Sequence, residues 1–200
     1  MAPYQMQLVS ITSQGESYLC GGAILNSTTM LLPAHCLISR ISRDFRVLDP
    51  TGTLTRLHTH NDITIHPSYN PNISTDYDIC IVTTVKLITM APSGPNKPAT
   101  LSAIVPALGD QVNSVMQDTL SDSMADIPKY FCKDGILNVT VTDNQVCVSA
   151  PWVLAGSCDG GPLVNVKGEV IGLVSDSAGC TAPSIYTLIG LYLEWITGSK

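Results

Sequence analysis

Three stretches of this chain carry residue types that do acid–base and nucleophilic chemistry. They are Leu31-Leu32-Pro33-Ala34-His35-Cys36, then Asp76-Tyr77-Asp78-Ile79, then Gly156-Ser157-Cys158-Asp159-Gly160-Gly161-Pro162-Leu163-Val164. Histidine is the side chain that most readily moves a proton near neutral pH, a carboxylate can orient it, and a glycine-rich turn exposes backbone N–H groups that stabilise an oxyanion. The third stretch offers Ser157 and Cys158 as a hydroxyl and a thiol, with Asp159 interposed before the Gly160-Gly161 pair.

The elements that must position these residues read as strands. Short apolar or alternating runs at Gln5 to Thr12, Ala23 to Leu25, Met30 to Leu32, Thr53 to Leu57, Ile79 to Thr83, Asn138 to Val141 and Glu169 to Ser175 are separated by Gly, Pro, Asn and Ser clusters. That is an all-β pattern. Ala91-Pro92-Ser93-Gly94-Pro95-Asn96-Lys97-Pro98 concentrates breakers that cannot pair as a strand, so it divides the chain near its middle. One helix is expected, Leu188 to Thr197 ending at Gly198, with Leu191, Leu193, Trp195 and Ile196 for an apolar face.

At 200 residues and 44% hydrophobic, the chain can bury a full core, as one large all-β unit or two small packed barrels. A net charge of −6 with ten scattered basic residues argues against a nucleic-acid surface. Seven cysteines, with sequons at Asn26-Ser27-Thr28, Asn72-Ile73-Ser74 and Asn138-Val139-Thr140, point to a secreted, extracellular protein. No run of 18 apolar residues exists to span a membrane, and Met1-Ala2-Pro3-Tyr4 has neither the basic start nor the apolar stretch of a signal peptide. No cofactor is implied. His58, His60 and Asp62 share a short segment, but three ligands from one exposed strand edge rarely complete a tetrahedron, so no metal is expected.

Laid together, the three stretches resemble the chymotrypsin/trypsin-like serine proteases, whose signatures read A-A-H-C, N-D-I-x-L and C-x-G-D-S-G-G-P-L. The resemblance covers nearly the whole chain. It implies two packed antiparallel six-stranded β-barrels with a C-terminal α-helix: an N-terminal barrel over 1–91, an inter-barrel linker over 92–109, a C-terminal barrel over 110–187 and the helix over 188–200. His66-Pro67-Ser68-Tyr69 resembles the family's H-P-x-Y turn, and Trp195-Ile196 its C-terminal Trp-Ile pair. The resemblance pairs Cys20 with Cys36, Cys132 with Cys147 and Cys158 with Cys180, leaving Cys80 as a free thiol in an apolar run.

In that frame His35 and Asp78 sit where the catalytic base and its orienting acid belong. The nucleophile loop aligns in two ways. Anchored on Gly160-Gly161-Pro162-Leu163 without gaps, Asp159 replaces the serine and Ser157 replaces an oxyanion-donating glycine. Anchored on Cys158 through Cys180, the loop has lost three residues, an arrangement that keeps the disulfide. Neither leaves a serine at the attacking position. The pocket diverges as well: Ser175-Asp176-Ser177 stands for S-W-G, Ser184 for the glycine of P-G-V-Y, and Asn113-Ser114-Val115-Met116 for S-G-W-G.

The resemblance therefore implies a protease homologue without catalysis, acting by binding a protease, an inhibitor or a component of a defence cascade. Tyr4 to Leu8, Cys20 to Leu25 and Val141 to Asn144 look similar to trypsin-like allergens of mites, a lineage that also holds inactivated protease paralogues acting on host complement. The alternative is an active endopeptidase, serine-type or dependent on Cys158, since viral proteases of this fold use G-x-C-G-G with a histidine base.

Overall fold

The computed structural model describes residues 2–12, 15–38, 44–56, 63–84, 87–90, 94, 96–107, 109–115, 120–121, 141–148, 161–177 and 184–198. Among them thirteen strands form two antiparallel sheets. The first contains β1 (Gln5–Thr12), β2 (Gly15–Ile24), β3 (Thr29–Leu32), β4 (Asp44–Leu48), β5 (Leu54–Arg56), β6 (Ile63–Ile65) and β7 (Cys80–Thr83), in the order β5-β4-β1-β2-β3-β7-β6. The second contains β8 (Val112–Val115), β9 (Leu120–Ser121), β10 (Gln145–Val148), β11 (Pro162–Asn165), β12 (Val170–Ser177) and β13 (Ser184–Leu188), in the order β10-β13-β12-β11-β8-β9. The first sheet thus has seven strands where six are expected. Short β5 and β6 occupy the two ends of this sheet and flank 57–62, outside the described residues.

Pattern and pairing agree at the centre of the first sheet. β1 alternates its inward residues, with Met6 and Leu8 fully buried, and pairs with both β2 and β4. Met6, Leu8, Ile24, Met30, Leu32, Val47, Cys80 and Val82 make one core inside this sheet, while Val112, Leu163, Ile171, Val174, Tyr186 and Leu188 make another inside the second. A third cluster joins the two: Ala23, Leu31 and Ile79 from the first sheet pack with Val164, Val170, Leu173, Ile189 and Tyr192. This seam makes the two sheets one packed body, so a side chain on one can be placed against the other to within a hydrogen bond.

The segment joining the sheets is pinned rather than draped. Asn96 donates through Nδ2 to Asp49 and to the Thr89 carbonyl, Lys97 N–H donates to Pro3, and Ala99 N–H donates to Ile24. Beyond it Leu101 forms an isolated parallel bridge with Val170.

The C-terminal element differs from expectation. Leu188 is the last residue of β13, paired with Gly172, and a 3-10 turn over Ile189–Tyr192 precedes a five-residue α2, Leu193–Thr197. The sheet captures Leu188 because its buried side chain continues the alternation of β13, which propensity for helix cannot outweigh. Gly198 closes α2 in the left-handed region at φ 65°, a C-cap that glycine adopts at least cost.

Close packing of β2 on β3 leaves no room at Gly22, where an added Cβ would lie 2.5 Å from the Leu31 carbonyl oxygen and 2.6 Å from Leu32 Cδ2. Gly22→Ala is expected to cost about 1–3 kcal/mol by overpacking. A lowered urea midpoint at unchanged slope checks this; an unchanged midpoint would contradict it.

Candidate active site

His35 opens α1 (His35–Ile38), a single turn that follows β3 directly. The turn is tied down by the disulfide between Cys20 and Cys36, with Cα atoms 6.2 Å apart. Asp78 arrives from the loop between β6 and β7. Tyr77 in that loop takes φ 59°, a conformation that costs a non-glycine residue about 1–2 kcal/mol and is here held by its surroundings.

The two residues meet closely. His35 Nδ1 lies 2.6 Å from Asp78 Oδ2, and the His35 backbone N–H donates to Asp78 Oδ1 at 2.8 Å. The Asp78 side chain is 1% exposed and the His35 side chain 33%, so the carboxylate is enclosed while the imidazole reaches solvent. A carboxylate on Nδ1 fixes the tautomer and leaves Nε2 as the basic nitrogen. Nε2 lies 3.4 Å from Cys36 Sγ and 3.9 Å from Cys20 Sγ. These three donor atoms cluster as metal ligands would, but both sulfurs are committed to the disulfide and cannot ligate as thiolates.

A third residue completes the geometry, and sequence alone treats it only as part of a diverged stretch. Ser175 sits where β12 shifts register against β13, between Val174 opposite Tyr186 and Asp176 opposite Ile185. This bulge re-aims the serine toward the first sheet. Its hydroxyl lies 3.0 Å from Asp78 Oδ2 and 2.9 Å from the Thr75 carbonyl. The signal available in sequence is a small hydroxyl residue near the C-terminal end of the apolar β12 run; what it bonds depends on the bulge.

The Asp78 loop is clamped to the second sheet at further points. Gln145 Nε2 donates to the Thr75 carbonyl, Asn144 Nδ2 to Asp76 Oδ2 at 3.0 Å, and the Tyr192 hydroxyl lies 3.5 Å from Asp76 Oδ1. His66 occupies an aromatic setting, stacked on Tyr77 at 5.2 Å with Tyr192 and Trp195 at its edges. Burial lowers the His66 pKa and the Asp76 carboxylate opposes this; Ser68 N–H donates to Nδ1. Burial and then Asp78 raise the Tyr69 hydroxyl and the Cys80 thiol. Cys80 is a buried free thiol whose sulfur is 3.7 Å from the Pro33 carbonyl, and its raised pKa makes it a poor nucleophile.

The remaining residues singled out in sequence are placed unevenly. Ser184 begins β13 opposite Val148 and Ser177, partly exposed. Asp176 is a β12 residue paired with Ile185, its side chain outside the description. Cys147 is disulfide-bonded to a partner outside the described residues. Ser157, Cys158, Asp159, Cys180, Cys132, Asn138, and the trio His58, His60 and Asp62 also lie outside them. Asn26 and Asn72 are exposed, and Asn26 Oδ1 accepts from the Thr28 and Thr29 backbone.

The trypsin family profile matches residues 1–196, so the chain belongs to the trypsin family of serine proteases and their homologues. It is 26% identical to "Trypsin eta" of Drosophila erecta, over 96% of this chain and 83% of that one. It is 27% identical to "Trypsin Tyr p 3.0101" of Tyrophagus putrescentiae, over 98% of this chain and 75% of that one. Among solved structures it superposes on kallikrein-related peptidase 10 with a TM-score of 0.76 at 23% identity, covering 98% and 94% of the two chains. On the scabies mite inactivated protease paralogue S-I1 the TM-score is 0.75 at 19% identity, covering 98% and 93%. The fold is chymotrypsin-like: two antiparallel β-sheets and a short C-terminal helix.

Two outcomes are expected. Ser175→Ala removes the single hydroxyl proton that lies within reach of both the enclosed Asp78 carboxylate and the Thr75 carbonyl, and is expected to cost about 1–3 kcal/mol in urea unfolding. An unchanged midpoint would deny the bridge. For His66, the unfolded chain titrates near 6.5 while the folded value is lower, so between the two the unfolded state binds more protons. Its contribution to stability is complete above about pH 6.5 and falls as pH drops toward the folded value. An NMR titration of the His66 ring is expected to give a midpoint below 6.5, and a midpoint at or above it would show that Asp76 outweighs burial.

Proposed function

We propose that this chain is a secreted, non-catalytic member of the trypsin family that acts by binding a protein partner: a protease, an inhibitor or a component of a complement-like defence cascade. The observation that carries the reading is the loop Gly156-Ser157-Cys158-Asp159-Gly160-Gly161, in which neither alignment puts a serine at the attacking position. Without its nucleophile a triad typically loses on the order of 10⁶ in turnover, and an intact histidine–aspartate pair does not compensate. Asp176 and Ser184 on the pocket strands point the same way, since each replaces a residue that lines or opens the family's substrate site. The scabies mite protein of the same fold is an inactivated protease paralogue, which supports this fold as a scaffold for non-catalytic members. The sequons and the cysteines support the secretory route. Among the described residues no helix is long and apolar enough to cross a membrane.

A second reading has its own support. The His35–Asp78 pair is fully formed, and relatives include trypsins and a "Vitellin-degrading protease" of Bombyx mori, 27% identical over 98% of this chain. Under that reading the chain is an active endopeptidase using a serine or Cys158.

The purified glycoprotein is expected neither to cleave casein and peptide–coumarin panels nor to take up a fluorophosphonate probe. Iodoacetamide-sensitive cleavage would instead establish the Cys158 reading. Asp159→Ser alone is expected to stay inactive, because losing even one oxyanion donor costs roughly 10² to 10³ in turnover. Comparison with a graft of the full family loop between Cys158 and Gly160, on the same peptide panel, checks this. Substantial turnover from the single substitution would mean the gap-free alignment is right and the site lies one residue from an enzyme.

A further inference from the structure

A cleft of about 240 Å³ opens between the segment following the Leu101 bridge and the β11–β12 hairpin. It shares no residue with the His35–Asp78–Ser175 site. Its floor is apolar: Val112 and Ile171, each 1% exposed, belong to the second sheet's core. Its walls are apolar and open, with Ile104 53% and Val166 73% exposed. An aliphatic surface left uncovered beside a buried aliphatic floor marks a place where another apolar group can be taken out of water.

Both rims carry local hydrogen bonds. On the hairpin, Asn165 Oδ1 accepts from the Lys167 and Glu169 N–H groups, Asn165 Nδ2 donates to Glu169 Oε2 at 2.7 Å, and Gly168 turns the chain at φ 77°. On the facing loop, Asp110 Oδ2 accepts from Ala107 N–H at 2.7 Å and Asp110 N–H donates back to the Ala107 carbonyl. Preorganised rims lower the ordering cost of binding.

The charges are arranged asymmetrically. Glu169, the carboxylate nearest Lys167 in sequence, is engaged by Asn165, and no carboxylate of the described residues lies within ion-pair distance of the Lys167 ammonium. Asp110 faces the cleft from the other side with one oxygen already held by Ala107. A cation on one rim, an acceptor on the other and an aliphatic floor between them match one chemical shape: an α-carboxylate, a branched aliphatic side chain and a backbone N–H. We propose that this cleft binds the C-terminus of a peptide ending in a branched aliphatic residue, its carboxylate on Lys167, its side chain between Ile104 and Val166, and its last N–H toward Asp110. The volume suits one or two residues rather than a long segment. The inference holds whether or not the chain is catalytic.

The test uses the whole glycoprotein, isotope-labelled, titrated with acetyl-leucyl-leucine as the free acid, with its C-terminal amide and with free leucine. The free acid is expected to shift the Gln111, Asn165 and Lys167 amides saturably, and the amide to bind about fivefold more weakly. Lys167→Met should bring the free acid down to the amide's affinity while leaving the amide unchanged. Val166→Asp, also on the exposed surface, should weaken both. No saturable shift by about 10 mM, equal affinity of acid and amide, or discrimination that survives Lys167→Met would each overturn the proposal. Free leucine binding as tightly as the dipeptide would overturn the peptide assignment in favour of a free amino acid.

Discussion

Everything in the candidate site hangs on one enclosed carboxylate. Asp78 is all but sealed from water, and a carboxylate in that position is tolerable only if its oxygens are met by donors. The donors come from both sheets: the His35 backbone and ring from the turn after β3, and Ser175 from a bulge in β12. The bridge therefore does two jobs with one group. It satisfies a buried charge and it fixes where the second sheet stands against the first at the point where the imidazole emerges. The apolar seam of Leu31, Ile79, Leu173 and Tyr192 supplies the bulk of the attraction between the sheets, but apolar packing is non-directional. The polar contacts set the register.

The loop before Asp78 repeats the device with Asp76. That carboxylate is engaged by Asn144 from before β10 and faces Tyr192 from the 3-10 turn, while Tyr77 between the two aspartates is forced into the left-handed region. The strain is sustained because its ring is stacked on His66 and the adjacent carboxylates are each held. Sequence-distant residues thus converge on a five-residue stretch, Thr75 to Ile79, which explains why a polar loop can be largely enclosed without orphaned groups.

How much of this could be read from the chain follows from the range of the interactions. β1 is legible to the residue because its alternation is local and bounded by turn residues. The edges of β2 and β12 are not, since both extend past their apolar runs by pairing with a neighbour whose position no local pattern encodes. β8, β11 and β13 are short and become strands by being flanked, so they are invisible to periodicity. At the site, His35 and Asp78 are legible because motif context marks them. Ser175 is not, because its role is created by a bulge and by a partner 97 residues away. The 3-10 turn before α2 is hidden for the same reason: Leu188 is claimed by its sheet neighbours, which shortens the helix that propensity alone would start there.

The persistence of the histidine–aspartate pair needs no catalytic explanation. Deleting Asp78 would leave the His35 N–H and the Ser175 hydroxyl without their carboxylate partner in a largely buried setting, a cost of about 1–3 kcal/mol for each group that finds no replacement. A chain released from the need to turn over substrate would still keep this pair, because losing it touches folding. His35 and Asp78 consequently weigh little in deciding between a protease and a binding protein. The weight falls on the stretch from Gly156 to Gly161, where neither alignment leaves a serine at the attacking position.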